Sequence, residues 1–353
     1  MDSTGTQIST DIKNYLAEVT SANRVSKKSL QIAEHIIEVN IVGNQDESFY
    51  TAAMSHLLLK DNHQAADLSI YTCDQVHCSD VPLPPSIQEF IQDSEEKAKQ
   101  HPLGATYEIK VGSFFIQYKQ QVQTLTIIDY SEGIAINWVY DADLLMEWEK
   151  SFPFRSILYY WFNKFGYIII HGGAIGTRHG GVILAGKSGS GKSTATLACL
   201  GGSLKYVGDD IVLVHLKTLI AYSLYNVAKL EVHQLKLFPT LANWVSNPET
   251  MESYKANIFI DNHQPEWLIH SFPIKAILLP RFLGRIDTTI IQATAADAAK
   301  ALFPSSMEVL TITDLSLFRN LSDVSRRLPN YWIETGTDTR QIYKTIETLL
   351  TTV

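Results

Sequence analysis

The sequence predicts a mixed α/β fold in two parts, an N-terminal α+β domain over residues 1–150 and an α/β domain over residues 151–353. Two observations lead to this prediction. Short segments of alternating apolar and polar residues follow one another between 107 and 138, which is typical of an antiparallel meander. Further along, an apolar run at 181–185 leads through a glycine-rich loop into a segment with helical spacing at 194–200, the strand and helix order of an α/β domain.

Composition excludes several classes of protein. The chain has 353 residues, of which 45% are hydrophobic, enough for a packed core. Its 29 Lys and Arg stand against 37 Asp and Glu, and this acidic balance without Lys- and Arg-rich windows argues against a nucleic-acid partner. Three cysteines fit a reducing compartment better than a disulfide framework. The sequence leaves the oligomeric state open, a homo-oligomer included.

The ends of the chain and its apolar runs bear on location. Residues 1–7 are polar and lack the basic and then apolar order of a signal peptide. The apolar runs are too short to span a bilayer. We therefore expect a cytoplasmic protein with no membrane partner.

In the N-terminal domain, residues 8–37 read as two helix-compatible stretches, with a strand over residues 37–41 as an alternative for the end. Cys73, His77 and Cys78 resemble one corner of a zinc site, but no second Cys/His pair follows at zinc-site spacing. The expected meander strands lie at 107–111, 114–118, 123–128 and 133–138.

The second domain begins with an aromatic helix at 153–165, whose rings are expected to pack in the core rather than form a ligand platform. An apolar strand at 167–175 follows, and residues 177–181 predict a hairpin turn into the next strand. His171 lies near the end of the first strand. Taken alone, it is either a packed structural histidine or a functional one.

The loop after the predicted strand at 181–185 reads Gly186-Lys-Ser-Gly-Ser-Gly-Lys192-Ser193, the Walker A pattern of a phosphate-binding loop. Its glycines let the backbone curl so that N–H groups face a polyphosphate. Lys192 reaches the β- and γ-phosphates, and the Ser193 hydroxyl can ligate Mg²⁺. ATP and Mg²⁺ are therefore the expected cofactors. The candidate nucleotide-binding residues are Gly186, Lys187, Ser188, Gly189, Ser190, Gly191, Lys192, Ser193 and Thr194.

Adjacent carboxylates lie in the strand-like segment 206–215. On an extended strand Asp209 and Asp210 would point to opposite sides. One could then face the metal while the other takes the proton from an attacking hydroxyl. We assign Asp209 as the base and Asp210, with Ser193, as the metal ligand, although the two roles are exchangeable. Because Gly-Asp-Asp also favours turns, a turn is the alternative.

The segment after residue 215 carries weaker candidates. Arg281 and Arg285 follow an apolar strand and are candidates for a γ-phosphate or substrate carboxylate, or else are solvated loop charges. Lys229 is a candidate for an acceptor contact, with an ordinary exposed helix edge as the alternative. The remaining expected elements are a helix at 293–302, a strand at 331–334 and a helix at 339–350.

His171-Gly172, the loop from Gly186 to Ser193, and Asp209-Asp210 occur in the order that resembles the catalytic domain of HPr kinase/phosphorylase, a bacterial protein-serine kinase. The resemblance covers residues 150–353. It implies the P-loop nucleotide core that this family shares with phosphoenolpyruvate carboxykinase. In that reading Lys192, Asp209, Asp210 and His171 form the catalytic set, with His171 orienting the base or the acceptor.

The chain lacks the late glycine- and asparagine-rich signature of the enzyme that acts on HPr. In this it resembles divergent relatives found with ribosomal peptide biosynthesis, among them kinases of the C-terminal serine of lasso peptide precursors. The resemblance implies transfer of the γ-phosphoryl group to a serine of a peptide or protein. The N-terminal domain is then expected to recognise that substrate. Two alternatives stay open, namely a small-molecule kinase acting, for example, on free serine and a non-catalytic nucleotide-binding regulatory module.

Overall fold

A computed structural model describes most of the chain, namely residues 3–78, 81–98, 106–310 and 315–353. Its fold is mixed α/β, as the sequence predicts. Two compact units make it up, an N-terminal unit of Met1–Thr51 and Leu58–Trp161 and a C-terminal unit of Ala52–Leu57 and Phe162–Val353.

The helices are α1 (Ser3–Ala22), α2 (Glu47–Thr51), α3 (Pro85–Ala98), α4 (Glu147–Ser151), α5 (Arg155–Lys164), α6 (Lys192–Leu197), α7 (Pro239–Ala242), α8 (Met251–Tyr254), α9 (Ala295–Leu310), α10 (Leu315–Arg327) and α11 (Thr339–Leu350). The strands are β1 (Val25–Ile32), β2 (His35–Val42), β3 (Leu68–Asp74), β4 (Thr106–Val111), β5 (Phe114–Lys119), β6 (Thr124–Asp129), β7 (Ile134–Val139), β8 (Tyr167–Ile170), β9 (Gly173–Thr177), β10 (Gly180–Leu184), β11 (Lys205–Gly208), β12 (Val212–His215), β13 (Ile220–Tyr222), β14 (Val227–Leu230), β15 (Ala256–Phe259), β16 (Ser271–Phe282), β17 (Thr289–Gln292) and β18 (Asn330–Thr335).

The N-terminal unit is a seven-stranded sheet in the order β1-β2-β3-β7-β6-β5-β4. Strands β4 to β7 pair antiparallel in sequence order, so the predicted meander is confirmed. The first predicted helical stretch is α1, whose Ile8 and Ile12 lie in one apolar cluster with residues of α3 and the sheet. The second stretch is wrong, because residues 25–42 form the β1–β2 hairpin instead. Pairing across that hairpin overrides an ambiguous apolar spacing.

The boundary between the compact units lies at Trp161 and Phe162, eleven residues beyond the boundary expected at residue 150. Aromatic packing accounts for this position. The Tyr160 ring lies 3.8 Å from that of Phe115, centroid to centroid, and Trp161 stacks on Tyr130 at 6.2 Å. Most of α5 therefore packs with the N-terminal sheet, in agreement with the core role expected for its aromatic residues.

The C-terminal unit contains a nine-stranded sheet in which β11-β9-β10-β16-β13-β12-β8 run side by side and β18 pairs with β16 and β17. The predicted hairpin is confirmed as β9 and β10. Strand β9 is antiparallel to both β10 and β11, so β10 and β11 run in the same direction. Their carboxyl ends and the start of β9 therefore lie at one edge of the sheet, which we call the loop edge.

Helix α6 lies close against β9 because residue 173 is glycine. A Cβ atom at Gly173 would lie 2.0 Å from the Thr196 Oγ1 atom. Thr196 is fully buried and its hydroxyl donates to the Lys192 carbonyl at 2.9 Å. The spacing between β9 and the helix that follows the glycine-rich loop is thus fixed by the absence of a side chain.

Gly173→Ala is expected to destabilise the C-terminal unit by about 1–3 kcal/mol, the usual effect of overpacking a close contact. Denaturant unfolding would measure the change. Thr196→Ala in the same chain removes the clashing hydroxyl and should recover part of the loss. If Gly173→Ala alone were neutral, the contact would not be setting the spacing of α6.

No helix among the described residues combines the length and the apolar character needed to cross a bilayer.

Candidate functional site

The glycine-rich loop joins β10 to α6 at the loop edge. Gly189 and Gly191 adopt positive φ angles of +76° and +99°, a region that side-chain-bearing residues rarely enter. At Gly186 a Cβ atom would lie 2.4 Å from the Ser190 hydroxyl oxygen. The three glycines that the sequence singled out are therefore required by the shape of the loop.

The Lys192 side chain lies inside this loop. The residue is 6% exposed, and its ammonium donates to the carbonyl of Gly186 at 2.7 Å and to that of Lys187 at 3.3 Å. Lys187, Ser188 and Gly189 are exposed. The loop thus offers its outer backbone to solvent and holds one charged side chain within its curve.

Thr194, in the first turn of α6, is held by a residue that the sequence did not indicate. The Gln234 side-chain amide donates to the Thr194 hydroxyl at 3.1 Å. Gln234 also accepts from the backbone N–H of Glu231 at 3.1 Å. The start of α6 is therefore tied to the segment that follows β14.

Asp209 and Asp210 interrupt the strand in which they were expected. Strand β11 ends at Gly208 and pairs with β9, whereas β12 begins at Val212 and pairs with β8. Between them the Ile211 N–H donates to the Asp209 carbonyl at 2.9 Å, and Asp210 has φ of +66°. The single extended strand is wrong and the turn alternative is the structure observed. Because of this turn, the residues before it pair with β9 and the residues after it pair with β8, two strands that are not neighbours in the sheet.

Asp209 is 1% exposed, and neither of its carboxylate oxygens has a hydrogen-bond partner among the described residues. Burial raises the pKa of Asp209 above its ordinary value, and the charge of Asp210 adds to the rise. The Ser193 hydroxyl and the Lys192 ammonium lie near enough to the Asp209 carboxylate to oppose this rise in its pKa, although neither meets the geometry of a hydrogen bond to it. A buried carboxylate without partners is costly unless a bound group completes it.

Asp210 forms a pair with His171. The His171 Nε2 atom lies 3.1 Å from the Asp210 Oδ1 atom, and the side chains are 12% and 17% exposed. Burial favours the neutral acid, but the hydrogen bond and charge of His171, with Lys229 and Lys255, hold the pKa of Asp210 well below its usual range. This carboxylate therefore stays ionised, and its position is fixed by the imidazole.

Helix α9 orients His171 from the other side. The His171 Nδ1 atom lies 3.1 Å from the Ser305 carbonyl oxygen, and the His171 backbone N–H donates to the Ser306 hydroxyl at 3.0 Å. The Ser305 carbonyl at Nδ1 and the Asp210 carboxylate at Nε2 are both hydrogen-bond acceptors, so the two contacts together fix the orientation of the ring. Nothing in the sequence around Ser305 and Ser306, 134 and 135 residues away, signals this contact.

Lys229 is not on an exposed helix edge, so that alternative is wrong. It lies in β14, is 8% exposed, and lowers the pKa of Asp210 through its charge. Its backbone N–H also opposes the raised pKa of Asp209. All four residues of Val227–Leu230 are buried, which fits a strand inside the fold and not an amphipathic helix, whose outer face would stay exposed.

Arg281 is the penultimate residue of β16, which is parallel to β10, and Arg285 lies just beyond the end of that strand. Both guanidinium groups form ion pairs with Glu334. Arg281 also stacks over the Trp332 ring, with its Cζ atom 4.8 Å from the ring centroid. The structure therefore pairs both arginines with a carboxylate of β18 rather than with the Asp209 and His171 group.

The zinc corner is not assembled. Cys73 is buried, and the Cys78 thiol donates to the Val42 carbonyl at 3.3 Å. The one group of three possible ligands in the described ranges is Asp74, His77 and Asp141, and Asp74 already accepts bonds from His77 and nearby backbone N–H groups.

Asp209→Asn is expected to raise the temperature of unfolding at alkaline pH, because the buried charge is removed. The folded chain holds the Asp209 proton to higher pH than the unfolded chain, where the pKa is about 3.9. The stability contributed by this group is thus fully present below about pH 4 and is lost as pH rises through the folded pKa. Thermal unfolding from about pH 4 to about pH 9 should show the variant's advantage growing with pH. A difference independent of pH would contradict the raised pKa.

Comparisons with known proteins add a weak likeness to solved structures. No protein-family model matches the chain, and no curated protein matches it. The solved structure of the Hpr(Ser) kinase/phosphatase from Coxiella burnetii matches with 9% sequence identity, covering 52% of this chain and 97% of that one, at a TM-score of 0.28. It comes from the family that the motifs resemble, but at this TM-score and identity the match carries no weight for fold or function.

Proposed function

We propose that the C-terminal unit is an ATP-dependent kinase that transfers the γ-phosphoryl group to a serine hydroxyl of a peptide or protein. The observation that carries this proposal is the buried Asp209 carboxylate, which has no hydrogen-bond partner in the part of the chain that the structure describes and lies at the loop edge near Lys192 and Ser193. Such a carboxylate beside a Walker A loop is the arrangement expected where a metal and a polyphosphate bind.

In this proposal the loop holds the phosphates of ATP. Backbone N–H groups from Gly186 to Thr194 face the phosphate oxygens, and the Lys192 ammonium exchanges its loop carbonyl partners for the β- and γ-phosphates. The exposed loop residues leave room for a ligand that approaches from solvent. A core of the P-loop type found in HPr kinase and phosphoenolpyruvate carboxykinase is part of the same proposal.

Mg²⁺ fits the residues present. The orphaned Asp209 oxygens and the Ser193 hydroxyl supply hard oxygen ligands on the side of the loop where the phosphates would lie. When bound, the ion would neutralise negative charge on the β- and γ-phosphate oxygens. The geometry therefore favours Asp209 as the metal ligand. This exchanges the two roles assigned from the sequence, where Asp209 was the base and Asp210 the metal ligand.

Asp210 then serves as the base. The serine oxygen bonds to the γ-phosphorus as the bond from that phosphorus to the bridging oxygen breaks, ADP departs with the electron pair, and the hydroxyl proton passes to Asp210. His171 acts as a positioning residue, because it holds the Asp210 carboxylate and is itself held by α9. Asp210 is more exposed than Asp209, which suits contact with an acceptor.

The acceptor is proposed from the resemblance. A peptide with a terminal serine, as in lasso peptide precursors, is favoured because the late signature of the enzyme that acts on HPr is lacking. The N-terminal unit is proposed to recognise this peptide, and the cytoplasm is the expected location. Lys229, Arg281 and Arg285 have no direct phosphate role in this scheme, since Lys229 is buried in β14 and both arginines pair with Glu334.

Incubation with γ-labelled ATP, Mg²⁺ and a pool of serine-terminated peptides plus free serine tests the proposal. Mass spectrometry should find label on a peptide serine. Label on free serine would instead identify a small-molecule kinase, and ATP binding without any transfer would identify a regulatory nucleotide-binding module.

A further inference from the structure

The N-terminal unit contains a charged cluster of its own around a small cavity. Lys119 ends β5, Glu149 lies in α4, and Arg155 begins α5. Their side chains are 12%, 14% and 6% exposed. They line a cavity of about 30 Å³ together with Thr126 and Asn137.

The three charges are not satisfied by one another. Both the Lys119 Nζ and the Arg155 Nη2 atoms lie 3.6 Å from the same Glu149 Oε1 atom, beyond hydrogen-bond length. Among the described residues, neither Arg155 Nη2 nor Glu149 Oε1 has a hydrogen-bond partner. Two buried cations therefore share a single carboxylate, and a buried guanidinium nitrogen is left without an acceptor, which is unfavourable unless something fills the cavity.

Other groups nearby do not supply the missing negative charge. Glu108 acts on Lys119 only through its charge, and its Oε1 atom accepts bonds from Gln117 and Tyr160 at 2.6 Å each. Burial lowers the pKa of Lys119, with Arg155 adding to the effect and the two carboxylates opposing it. Because burial disfavours the charged form of Lys119, an anion bound beside the ammonium would stabilise that form.

The backbone adds to the same imbalance. Residues 155–157 form the first turn of the ten-residue helix α5 and line the cavity, and the first N–H groups of a helix have no partner within it. Phe154, just before the helix, has φ of +58°, an unusual value for a bulky residue. Strain of this kind often accompanies a binding site.

We propose that this cavity is a binding site for one small monovalent anion, chloride or the carboxylate group of a small organic acid, held by Arg155 and Lys119. Chloride and a carboxylate group are both compact, negatively charged hydrogen-bond acceptors, and the cavity has room for a few atoms only. Glu149 limits the affinity by its charge and sets the position of both cations.

Thermal unfolding of the full chain, scanned at constant ionic strength, tests this site. Chloride or acetate replaces isethionate, an anion larger than the cavity. At concentrations above the Kd, each tenfold increase in the concentration of an anion that binds should raise the temperature of the unfolding midpoint by about 3–5 °C. Saturation by chloride identifies an inorganic ion, and a response to acetate alone identifies a carboxylate. Equal midpoints in all three salts would overturn the proposal and leave water as the occupant.

Variants separate a binding site from a structural ion pair. Lys119→Met should abolish the response to the anion, and Arg155→Gln should do the same if it folds. Glu149→Gln should respond at lower anion concentration than the native chain, because a repelling charge is removed. If Glu149→Gln were destabilised and no anion restored it, the cluster would be only a structural ion pair.

Trp148 gives a local optical signal. The Arg155 Cζ atom lies 4.7 Å from the Trp148 ring centroid, so an anion at Arg155 should change the emission of this indole. In Trp148→Phe the fluorescence change should disappear while the shift of the unfolding midpoint remains. A fluorescence change that persisted in Trp148→Phe would place the anion elsewhere.

Discussion

Asp210→Asn is expected to slow phosphoryl transfer by about 10²–10⁴-fold, the usual contribution of a general base, while ATP binding changes little. The amide keeps the size of the side chain but cannot take the proton of the acceptor hydroxyl. Asp210 lies outside the proposed metal site, so the nucleotide should still bind. Single-turnover transfer of label from ATP, beside equilibrium ATP binding, measures both quantities.

The matched control is Asp261→Asn. Asp261 is a carboxylate of the same unit that accepts a bond from Ser55 at 2.6 Å, and it has no part in the proposed chemistry. The rate of transfer in Asp261→Asn should stay within about threefold of the native rate, because the change weakens only one hydrogen bond, which contributes about 1 kcal/mol to stability. Undiminished transfer in Asp210→Asn would remove Asp210 as the base and return that role to Asp209.

Lys192→Met is expected to weaken ATP binding by about 10–100-fold, the effect of losing charge-assisted bonds of about 1.5–3 kcal/mol. Transfer should fall further, because the lysine also stabilises charge on the transferring group. Methionine retains an apolar stem inside the loop but cannot donate to the carbonyls of Gly186 and Lys187. Calorimetric titration with ATP and single-turnover transfer give the two values.

Lys187→Met separates this effect from a general loss of positive charge. Lys187 lies in the same loop with an exposed side chain, and only its backbone N–H is assigned to the phosphates. Its replacement should change ATP affinity by less than about threefold, as expected for an exposed charge. Equal losses in the two variants would mean that the loop attracts ATP by overall charge and that Lys192 has no specific place.

Local patterns in the sequence predicted the elements that bear the site. The hairpin before the loop, the strand, loop and helix order and the C-terminal helix with Ile342 and Ile346 buried all occur in the structure. Each depends on neighbours within a few residues, such as glycines at positive φ or apolar spacing along one helix face.

The features that the sequence could not predict depend on contacts between residues far apart in the chain. The Gly-Asp-Asp pattern offered the Asp209-Asp210 turn only as an alternative to a strand. The turn is formed because β11 and β12 pair with different strands, β9 and β8, and no local pattern reveals that pairing. The contact of His171 with Ser305 joins residues 134 positions apart. For Asp209 and Asp210 this matters directly, because the turn places Asp210 against His171 and leaves Asp209 beside the loop.

The proposed kinase requires that the loop edge bind ATP together with a metal held by Asp209 and Ser193. Equilibrium binding of ATP to the native chain and to Asp209→Asn, each with and without Mg²⁺, measures this requirement. We expect Mg²⁺ to tighten ATP binding to the native chain by roughly tenfold, equivalent to about 1.4 kcal/mol, and to have little effect on the variant. If the native chain did not bind ATP, or if Mg²⁺ had an equal effect on both proteins, Asp209 would not hold a metal beside the nucleotide.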